Sequence, residues 1–295
     1  MSLRHSIKLI NKHPLTSQKQ FKTYLRIIKW QLAQAILRQP MVMPFVNDSI
    51  LLVEKGMTGA TGNIYFGLHE FNDMGFLLHF LNEEDVFFDV GANIGSYTVL
   101  SSKVCGAKSF SFEPSKITYE RLSNNIFLNR IDTLVTPFNL GVSEKSETLN
   151  FSTGFDTVNH VTAKEMEYTE KIDTISLNEV CKTNNVIPNL LKIDVEGFEF
   201  KVIAGASELL GSDQLNAIII ELNGSGPRYG FNEDEIHNTL TQYNYSPYFY
   251  NPISKCFHRL EKQNKIDNTL YIKNIEIAKK KVSDSKSYKI MNTLI

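Results

Sequence analysis

A glycine-rich loop led by a carboxylate is the feature of this sequence with the clearest chemical potential. In the stretch DVFFDVGANIGSY, an apolar run ends at Asp89 and is followed by Gly91, Asn93 and Gly95. Glycine allows the backbone to adopt left-handed angles and to approach a ligand closely. The N–H groups at the start of the next helix, near Ser96, favour an anionic group. The pattern predicts a ligand-binding turn between a strand and a helix.

The charge of this loop indicates which ligand it binds. A dinucleotide site has the spacing G-x-G-x-x-G, whereas the glycines here stand at positions 91 and 95. Asp89 would repel a pyrophosphate, but it attracts a cationic amino group that lies beside a carboxylate. S-adenosylmethionine has such a zwitterionic methionine end. The loop therefore predicts S-adenosylmethionine as the cofactor.

The ends of the next two predicted strands complete the cofactor site. In FSFEPS, an apolar strand ends at Glu113, with Pro114 and Ser115 following as the start of a helix. Glu113 lies where an acidic side chain is expected to accept from the ribose hydroxyls. The third strand ends at Asn139 and Leu140, which are expected to face the adenine. The alternative for Asn139 is that it only shapes the turn.

Carboxylates also follow the fourth and fifth predicted strands. In LLKIDVEGFEF, Asp194 ends the strand and Glu196 follows it, and in AIIIELN the fifth strand ends at Glu221 and Asn223. Because the fourth strand neighbours the first in a doubly wound sheet, Asp194 is expected in the cleft beside the transferable methyl group. Glu221 and Asn223 are expected to contact the acceptor. The alternative for Glu196, and for Glu199 after it, is that they only cap and solvate the following helix, since a helix N-terminus favours acidic side chains.

At these positions the sequence resembles the FkbM family of methyltransferases. The matching stretches are FFDVGANIGSYT, FSFEPS, TISLNEV and LKIDVEGFE, at residues 87–98, 110–115, 174–180 and 191–199. The resemblance implies a class I methyltransferase fold, S-adenosylmethionine as donor, and transfer to a hydroxyl of a sugar, polysaccharide, glycolipid or natural product. The stretch NIYFGLHE is also similar to the segment by which this family enters the domain, which makes Glu70 a candidate substrate residue.

The implied methyl transfer is an in-line displacement, in which alignment supplies much of the rate. A hydroxyl acceptor benefits from a base, and the candidate catalytic residues are Asp194, Glu196 and His160. Asp194 with Glu196 or Glu221 could instead hold Mg²⁺ as a Lewis acid, but no motif supports this and no metal ligand is assigned. The rival functions are methylation of RNA or protein, and a methyltransferase-like module that binds S-adenosylmethionine without turnover.

The elements that must position these residues follow from hydrophobic periodicity. Short apolar runs alternate with helical stretches from residue 50 onward, which is typical of βαβ units. The predicted strands are 50–54, 85–90, 108–112, 134–139, 189–194, 216–222, 246–250 and 268–273. The predicted helices are 69–81, 95–104, 115–128, 177–182, 199–210 and 231–242. This order predicts an α/β, Rossmann-like fold, with a mostly parallel seven-stranded sheet and helices on both faces.

The chain is predicted to divide into three parts. These are a basic helical N-terminal arm at 1–48, a class I methyltransferase domain at 49–275, and a C-terminal tail at 276–295. Residues 141–176 are poorer in apolar residues and predict a small hairpin plus a loop, either a wall or lid of the active site or a solvated connector. The last residues, 279–295, are expected to form a frayed end.

The N-terminal arm is predicted to contain a basic amphipathic helix. The apolar residues at helical spacing are Phe21, Leu25, Ile28, Leu32, Ala35 and Ile36. Residues 1–47 hold eight Lys or Arg and no Asp or Glu. The apolar face is expected to pack on the main domain or on a second subunit of a homo-oligomer. The alternative is a weak contact with an anionic membrane surface.

Composition narrows the partners and the compartment. Beyond residue 47 the chain carries 23 basic and 32 acidic residues. An acidic domain argues against DNA or RNA as a partner, because phosphates bind to basic surfaces. The basic arm nevertheless leaves recruitment of RNA open. Cys105, Cys181 and Cys256 form no CxxC pair, which argues against a zinc site or a disulfide framework. The protein is expected to be cytoplasmic, with a peripheral membrane position as the alternative.

Overall fold

Strands and helices alternate along most of the chain. The computed structural model describes residues 10–17, 19–152, 161–162, 169–264 and 268–295. The helices are α1 Gln20–Leu37, α2 Thr58–Phe66, α3 Phe71–Phe80, α4 Ser96–Val99, α5 Lys116–Asn129, α6 Leu177–Asn184, α7 Glu199–Ala204, α8 Ser207–Gly211, α9 Glu233–Gln242 and α10 Ile275–Asp284. A π-helical stretch, Leu100–Cys105, continues α4, and Gly226–Tyr229 is a 3₁₀ turn. The strands are β1 Met41–Pro44, β2 Ile50–Val53, β3 Val86–Val90, β4 Lys108–Phe112, β5 Val135–Phe138, β6 Gly141–Val142, β7 Thr148–Ser152, β8 Val161–Thr162, β9 Thr169–Ile175, β10 Leu190–Ile193, β11 Ala217–Glu221, β12 Ser246–Asn251, β13 Cys256–Arg259, β14 Asn268–Ile272, β15 Lys289–Ile290 and β16 Thr293–Leu294.

The main sheet has eight strands in the order β13-β12-β14-β11-β10-β3-β4-β5. Five adjacent strands, β11, β10, β3, β4 and β5, run parallel to one another. The remaining pairs, β11 with β14, β14 with β12 and β12 with β13, are antiparallel. From β3 the chain winds outward through β4 to β5, and from β10 it winds the other way to β11. The sheet therefore reverses its order between β3 and β10, where open α/β sheets bind their ligands. The predicted sheet had seven strands; the extra one, β13, forms a hairpin with β12.

The apolar sequence of the central strands follows from burial on both faces of this sheet. In β11, Ala217 and Ile219 belong to a core cluster that includes α3 and α10, whereas Ile218 and Ile220 belong to a second cluster with α6 and α9. Parallel strands covered on both faces have continuous apolar runs rather than alternating patterns. The predicted helices on both faces of the sheet are thereby confirmed.

The predicted strand at residues 50–54 forms, but it lies outside the main sheet. It is β2, which pairs antiparallel with β1. Side chains of α5 hold this hairpin in place, because Asn125 Oδ1 accepts from the Leu52 N–H at 2.7 Å and Asn129 Oδ1 accepts from the Ile50 N–H at 2.9 Å. Eight strands were predicted for a seven-stranded sheet, and residues 50–54 are the one that lies outside it. A short apolar run does not by itself reveal its partner strand.

The region 141–176 contains more strand than the predicted small hairpin plus loop. Its described residues form a four-stranded sheet in the order β6-β9-β7-β8, built mainly on the antiparallel pair β7 and β9. Residues 154–157, whose sequence GFDT is typical of a turn, lie outside the described residues.

The C-terminal end is ordered against the core. Residues 279–284 complete α10, whose Lys281 Nζ lies 2.7 Å from Asp85 Oδ2. Beyond it, β15 and β16 form a hairpin, in which Ile290 and the final Ile295 are buried in the same cluster as α3. The predicted frayed end is wrong, because a few widely spaced apolar residues are enough to anchor this hairpin. The division at residues 48 and 275 stays a prediction.

The amphipathic helix predicted in the N-terminal arm is α1, but the face that packs on the domain is not the predicted apolar one. Its buried residues are Thr23, Trp30 and Gln34, which lie against the domain. The apolar stripe that begins at Phe21 faces outward, and Phe21 is 75% exposed. The expectation that this stripe packs on the main domain is therefore wrong. Within the described ranges, no helix has both the length and the hydropathy that a bilayer crossing requires.

Candidate active site

A cavity opens at the carboxyl ends of the parallel strands, at the point where the sheet reverses its order. The predicted site residues that line it are Glu70, Asp89, Gly91, Asn93, Ser96, Glu113, Pro114, Leu140, Asp194, Glu196 and Glu221. Five consecutive strand ends, those of β3, β4, β5, β10 and β11, supply most of them. The topology thus brings together residues that lie as many as 151 positions apart in the sequence.

Asp89 lies on β3, the middle one of these five strands. In the sheet register it stands beside Ser111 of β4 and Lys192 of β10. Its Oδ2 accepts from the Thr98 hydroxyl at 2.7 Å, whereas its Oδ1 is buried and has no hydrogen-bond partner among the described residues. Burial raises the pKa of Asp89 to about 6, against the opposing effect of the Lys192 charge. A buried carboxylate oxygen without a donor fits a cationic ligand in the cavity.

The two glycines of the loop have different roles. Gly91 has a φ of +80°, and a Cβ at this position would overlap the carbonyl oxygen of Asp194. Gly95 has a φ of +88° and directly precedes α4, where a Cβ would press on the Leu122 side chain. Gly91 lines the cavity and Gly95 does not. Gly91 therefore allows the ends of β3 and β10 to approach each other at the site, while Gly95 sets the start of α4.

Glu113 is held by the backbone of two loops. Its Oε2 accepts from the Asn93 N–H and its Oε1 accepts from the Ser115 N–H, each at 3.0 Å. Burial raises the pKa of Glu113 to about 7, against these two hydrogen bonds. Each carboxylate oxygen keeps a second lone pair, so the group can accept from further donors such as vicinal hydroxyls. Ser115 contributes its N–H only, and its hydroxyl does not cap α5.

The residues that follow β5 have two different roles. The Asn139 side-chain amide donates to the Glu113 and Pro114 carbonyl oxygens, at 3.0 and 2.9 Å. Asn139 is absent from the cavity lining, whereas the following Leu140 belongs to it. The geometry favours the alternative given above, that Asn139 shapes the turn.

A lysine that the sequence reasoning did not assign to the site lies beneath the carboxylates. Lys192 is 3% exposed, and its Nζ lies 2.8 Å from Asp194 Oδ2 and 4.7 Å from the centre of the Tyr97 ring. Burial alone would lower the pKa of Lys192, but the charges of Asp194 and Glu70 outweigh it and raise the pKa. The Tyr97 hydroxyl donates to Glu70 at 2.5 Å. The signal in the sequence was its position two residues before Asp194, on the same face of β10.

Three carboxyl groups converge where β10 and β11 end at the cavity. Oxygen atoms of Asp194, Glu196 and Glu221 lie within 4.8 Å of one another. Lys192 holds the pKa of Asp194 below its usual value, although burial acts in the opposite direction. Burial and the Asp194 charge raise the pKa of Glu221 well above its usual range. Because the pKa of Asp194 is lowered and that of the neighbouring Glu221 is raised, Glu221 is the member of the pair that carries a proton at neutral pH.

Glu196 differs from its two neighbours. Burial and the charge of Asp194 raise the pKa of Glu196 to about 7, while Asn223 and Arg228 act to lower it. Its φ of +54° is left-handed, a conformation that non-glycine residues adopt at a cost and that concentrates at functional sites. Asn223 lies outside the cavity lining, and its effect on the site is to lower the pKa of Glu196.

The helix-capping role that was the alternative for these carboxylates is not observed for Glu199, the first residue of α7, whose side chain instead binds the loop before that helix. Its Oε1 accepts from the Val195 and Gly197 N–H groups, at 3.3 and 3.0 Å, and the side chain is buried. Glu199 thereby fixes the loop between β10 and α7. Glu196, at the apex of that loop, is left to face the cavity.

The remaining walls come from elements that the sequence predicted poorly. The small sheet contributes Phe151, Val161, Ile172 and Thr174 to the lining, in agreement with its interpretation as a wall of the site. Helix α2, which was not predicted, contributes Asn63, whose amide donates to the Ser96 hydroxyl at 3.1 Å. His160, a candidate base, lies outside the described residues.

Comparison with known proteins identifies the family of this chain. The sequence profile of the methyltransferase FkbM domain matches residues 89–247, more than half of the chain. The chain belongs to the FkbM methyltransferase family. The class I methyltransferase fold that the resemblance implied is thereby confirmed. The matched residues include the strands β4, β5, β10 and β11 of the main sheet.

Relatives of this FkbM methyltransferase include one curated protein of stated activity. The hexuronic acid methyltransferase AglP of Haloferax volcanii is 34% identical over 148 residues, which are 50% of this chain and 59% of that protein. The aligned part therefore spans less than two thirds of the relative. Among solved structures, methyltransferase FkbM from Methylobacillus flagellatus KT has a TM-score of 0.46 at 16% identity, with 72% of this chain and 54% of that chain covered. Precorrin-6y C5,15-methyltransferase from Geobacter metallireducens GS-15 has a TM-score of 0.42 at 11% identity, with 75% and 93% covered.

Proposed function

We propose that this chain is an S-adenosylmethionine-dependent O-methyltransferase whose acceptor is a hydroxyl of a uronic-acid-containing glycan. The observation that carries the proposal is the charge of the cavity. Among the described residues, six carboxyl groups line it together with one lysine, and they are Glu70, Asp89, Glu113, Asp194, Glu196, Glu221 and Lys192. Such a lining suits a ligand with a sulfonium and an ammonium group and opposes a pyrophosphate. When bound, S-adenosylmethionine supplies a methyl group activated by its positive sulfur.

The donor end of the cavity fits the parts of that cofactor. The unpartnered Asp89 Oδ1 would accept from the cationic amino group, and the N–H groups where α4 begins suit the adjoining carboxylate. Glu113, fixed by Asn93 and Ser115, would accept from the ribose hydroxyls through its free lone pairs. Leu140 and Phe112, which stand at or just after strand ends, would border the adenine.

The acceptor end supplies a proton acceptor. A base works best when its pKa lies near the working pH, which favours Glu196, whose pKa is about 7. Asp194 is already neutralised by Lys192, and Glu221 keeps its proton at neutral pH because its pKa is raised. We therefore assign proton removal from the acceptor hydroxyl to Glu196, with Asp194 and Lys192 holding the surrounding network in place.

A divalent cation is the alternative for the same carboxyl groups. Asp194, Glu196 and Glu221 could each offer an oxygen ligand, and Mg²⁺ prefers such ligands. The Lys192 ammonium already lies on Asp194 at 2.8 Å, so the cluster has a positive charge of its own. We favour proton transfer without a metal for this reason.

The acceptor class is inferred from the AglP relative together with a positive charge that acts on Glu196. A uronic sugar carries a carboxylate, which the acidic lining would repel unless a cation receives it. Arg228 is exposed in the 3₁₀ turn after β11, and its charge acts on Glu196. We propose that Arg228 binds the acceptor carboxylate and thereby directs a neighbouring hydroxyl toward Glu196.

The test compares a hexuronic acid glycoside with the matched neutral hexoside as methyl acceptors. Because a hydrogen bond to a charged group contributes about 1.5–3 kcal/mol, we expect kcat/KM to favour the uronic acid roughly ten- to hundredfold. Arg228→Gln should remove most of this preference. The matched control is Arg259→Gln, since Arg259 is also an exposed arginine and lies on the edge strand β13.

Two results would count against the proposal. Equal methylation of both sugars by the wild-type chain would exclude the uronic acid preference and the role of Arg228. Binding of S-adenosylmethionine without methylation of any sugar, RNA or protein acceptor would favour a non-catalytic module.

A further inference from the structure

Helix α1 presents an apolar face to solvent. The residues of this face and their exposed fractions are Phe21 75%, Leu25 42%, Ile28 53%, Leu32 58% and Ile36 77%. They recur at intervals of three and four, which puts them on one side of a helix with 3.6 residues per turn. The opposite side, with Trp30 at 4% exposure, packs on the domain. A contiguous apolar face of this kind marks a binding surface.

Positive charge borders this face. At 100° per residue, Lys22 and Lys29 lie along one margin of the stripe, and both are exposed. No Asp or Glu occurs in residues 1–47, so the arm has no carboxylate of its own with which these lysines can pair. The exposed half of α1 therefore combines large apolar side chains with unopposed cations.

We propose that α1 binds the surface of an anionic lipid bilayer, with its axis in the plane of the interface. Interfacial helices have lysines beside an apolar face that enters the headgroup boundary by about 5–10 Å. Each lysine near an anionic surface strengthens such binding by roughly fivefold. The buried face of α1 stays on the domain, so binding needs no rearrangement of the fold.

A second copy of the chain fits this face less well. Five large side chains on one helix fall far below the roughly 20–30 residues per partner in a standard interface. Two copies of α1 packed face to face would also bring lysines together with no acidic residue on either arm. Charge complementarity therefore favours a lipid surface.

The position of α1 gives this binding a functional consequence. The Gln31 amide donates to the Tyr65 hydroxyl at 2.6 Å, and the Arg26 guanidinium donates to the Tyr65 carbonyl oxygen. Tyr65 belongs to α2, and the same helix lines the cavity through Asn63. A bilayer under α1 would thus lie one helix away from the cavity, in reach of acceptors that are carried on a lipid.

The test is sedimentation of the full chain with vesicles, which requires no turnover and is independent of the proposed function. We expect binding to phosphatidylcholine vesicles with roughly one third phosphatidylglycerol, and much weaker binding to phosphatidylcholine alone. Ile28→Ser combined with Leu32→Ser should weaken it at least tenfold, and Lys22→Gln combined with Lys29→Gln about 25-fold. The matched control is Ile253→Ser, because Ile253 is 55% exposed in the hairpin at the far end of the sheet.

Three outcomes would overturn the proposal. They are absence of vesicle binding, binding that the substitutions on α1 leave unchanged, and a wild-type dimer that Ile28→Ser with Leu32→Ser converts to a monomer without any effect on vesicles. The last outcome would assign the face to a second copy. Because every substituted residue on α1 is exposed, circular dichroism of the variants should match that of the wild-type chain.

Discussion

Glu196→Gln is expected to lower kcat by about 10²- to 10⁴-fold, the usual contribution of a positioned general base. The amide has the shape of the carboxyl group but cannot accept the hydroxyl proton. Affinity for S-adenosylmethionine should change little, since Glu196 interacts with Asn223 and Arg228 rather than with the glycine loop. The loss is measured as kcat at saturating cofactor and acceptor.

The role of Glu196 as a base also predicts how kcat changes with pH. Because the pKa of Glu196 is raised to about 7, the group is protonated and inactive below that pH and ionised above it. The kcat of the wild-type chain should therefore rise as pH increases through about 7 and then level off. Glu196→Gln should lose this rise, whereas Glu208→Gln, an exposed substitution on α8, should keep it.

Two results would contradict the assignment of the base. If Glu196→Gln keeps the activity and pH profile of the wild-type chain while Asp194→Asn loses both, the proton acceptor is Asp194. If a chelator abolishes turnover and Mg²⁺ restores it, the carboxyl cluster holds a metal ion and the metal-free scheme is wrong.

Gly91→Ala is expected to destabilise the fold more than any other glycine substitution at a comparable backbone angle. A left-handed φ costs an alanine about 1–2 kcal/mol, and the new Cβ would also overlap the Asp194 carbonyl oxygen. Forced overlap in a packed interior adds about 1–3 kcal/mol. The free energy of unfolding, measured in urea, should therefore fall by about 3 kcal/mol or more.

The matched control is Gly230→Ala. Gly230 has a nearly equal φ of +77°, but nothing lies within 4 Å of a Cβ built there, so only the loss due to the backbone angle is expected. Equal destabilisation by the two substitutions would show that the close approach of Gly91 to Asp194 is not required.

The sequence predicted best the strands that are buried on both faces and the carboxylates that stand at their ends. The central strands could be predicted because runs such as AIII in β11 are buried on both sides. Asp89, Glu113 and Asp194 could be assigned because each stands at or just after the end of such a strand, and parallel strands end at the same edge of the sheet. These two facts were enough to predict that the three carboxylates line one cavity.

Features that depend on distant contacts were not predictable from local pattern. Lys192 is tolerated in the core only because Asp194, Glu70 and Asp89 surround it, and Glu70 comes from an element more than 100 residues earlier in the chain. Likewise, the periodicity of α1 identifies an apolar stripe, but it does not reveal that Trp30 and not Phe21 faces the domain.

The C-terminal hairpin illustrates a different limit. Its apolar residues are too few and too widely spaced to form a periodic signal, yet Tyr288, Ile290 and Ile295 are buried. The core that receives them is built from α3 and β14, which lie elsewhere in the sequence. A pattern-based prediction therefore calls this segment frayed although its packing is complete.

Titration calorimetry with S-adenosylmethionine tests the assigned cavity most directly, with Asp89→Asn compared against the wild-type chain. The wild-type chain should bind one equivalent, and loss of the charged hydrogen bond at Asp89 should weaken binding roughly ten- to hundredfold. Affinity of the wild-type chain should also fall below about pH 6, because Asp89 is then protonated before the ligand binds. Asp132→Asn, exposed in the loop before β5, should bind like the wild-type chain. Undiminished affinity in Asp89→Asn would contradict the assignment of this cavity as the cofactor site.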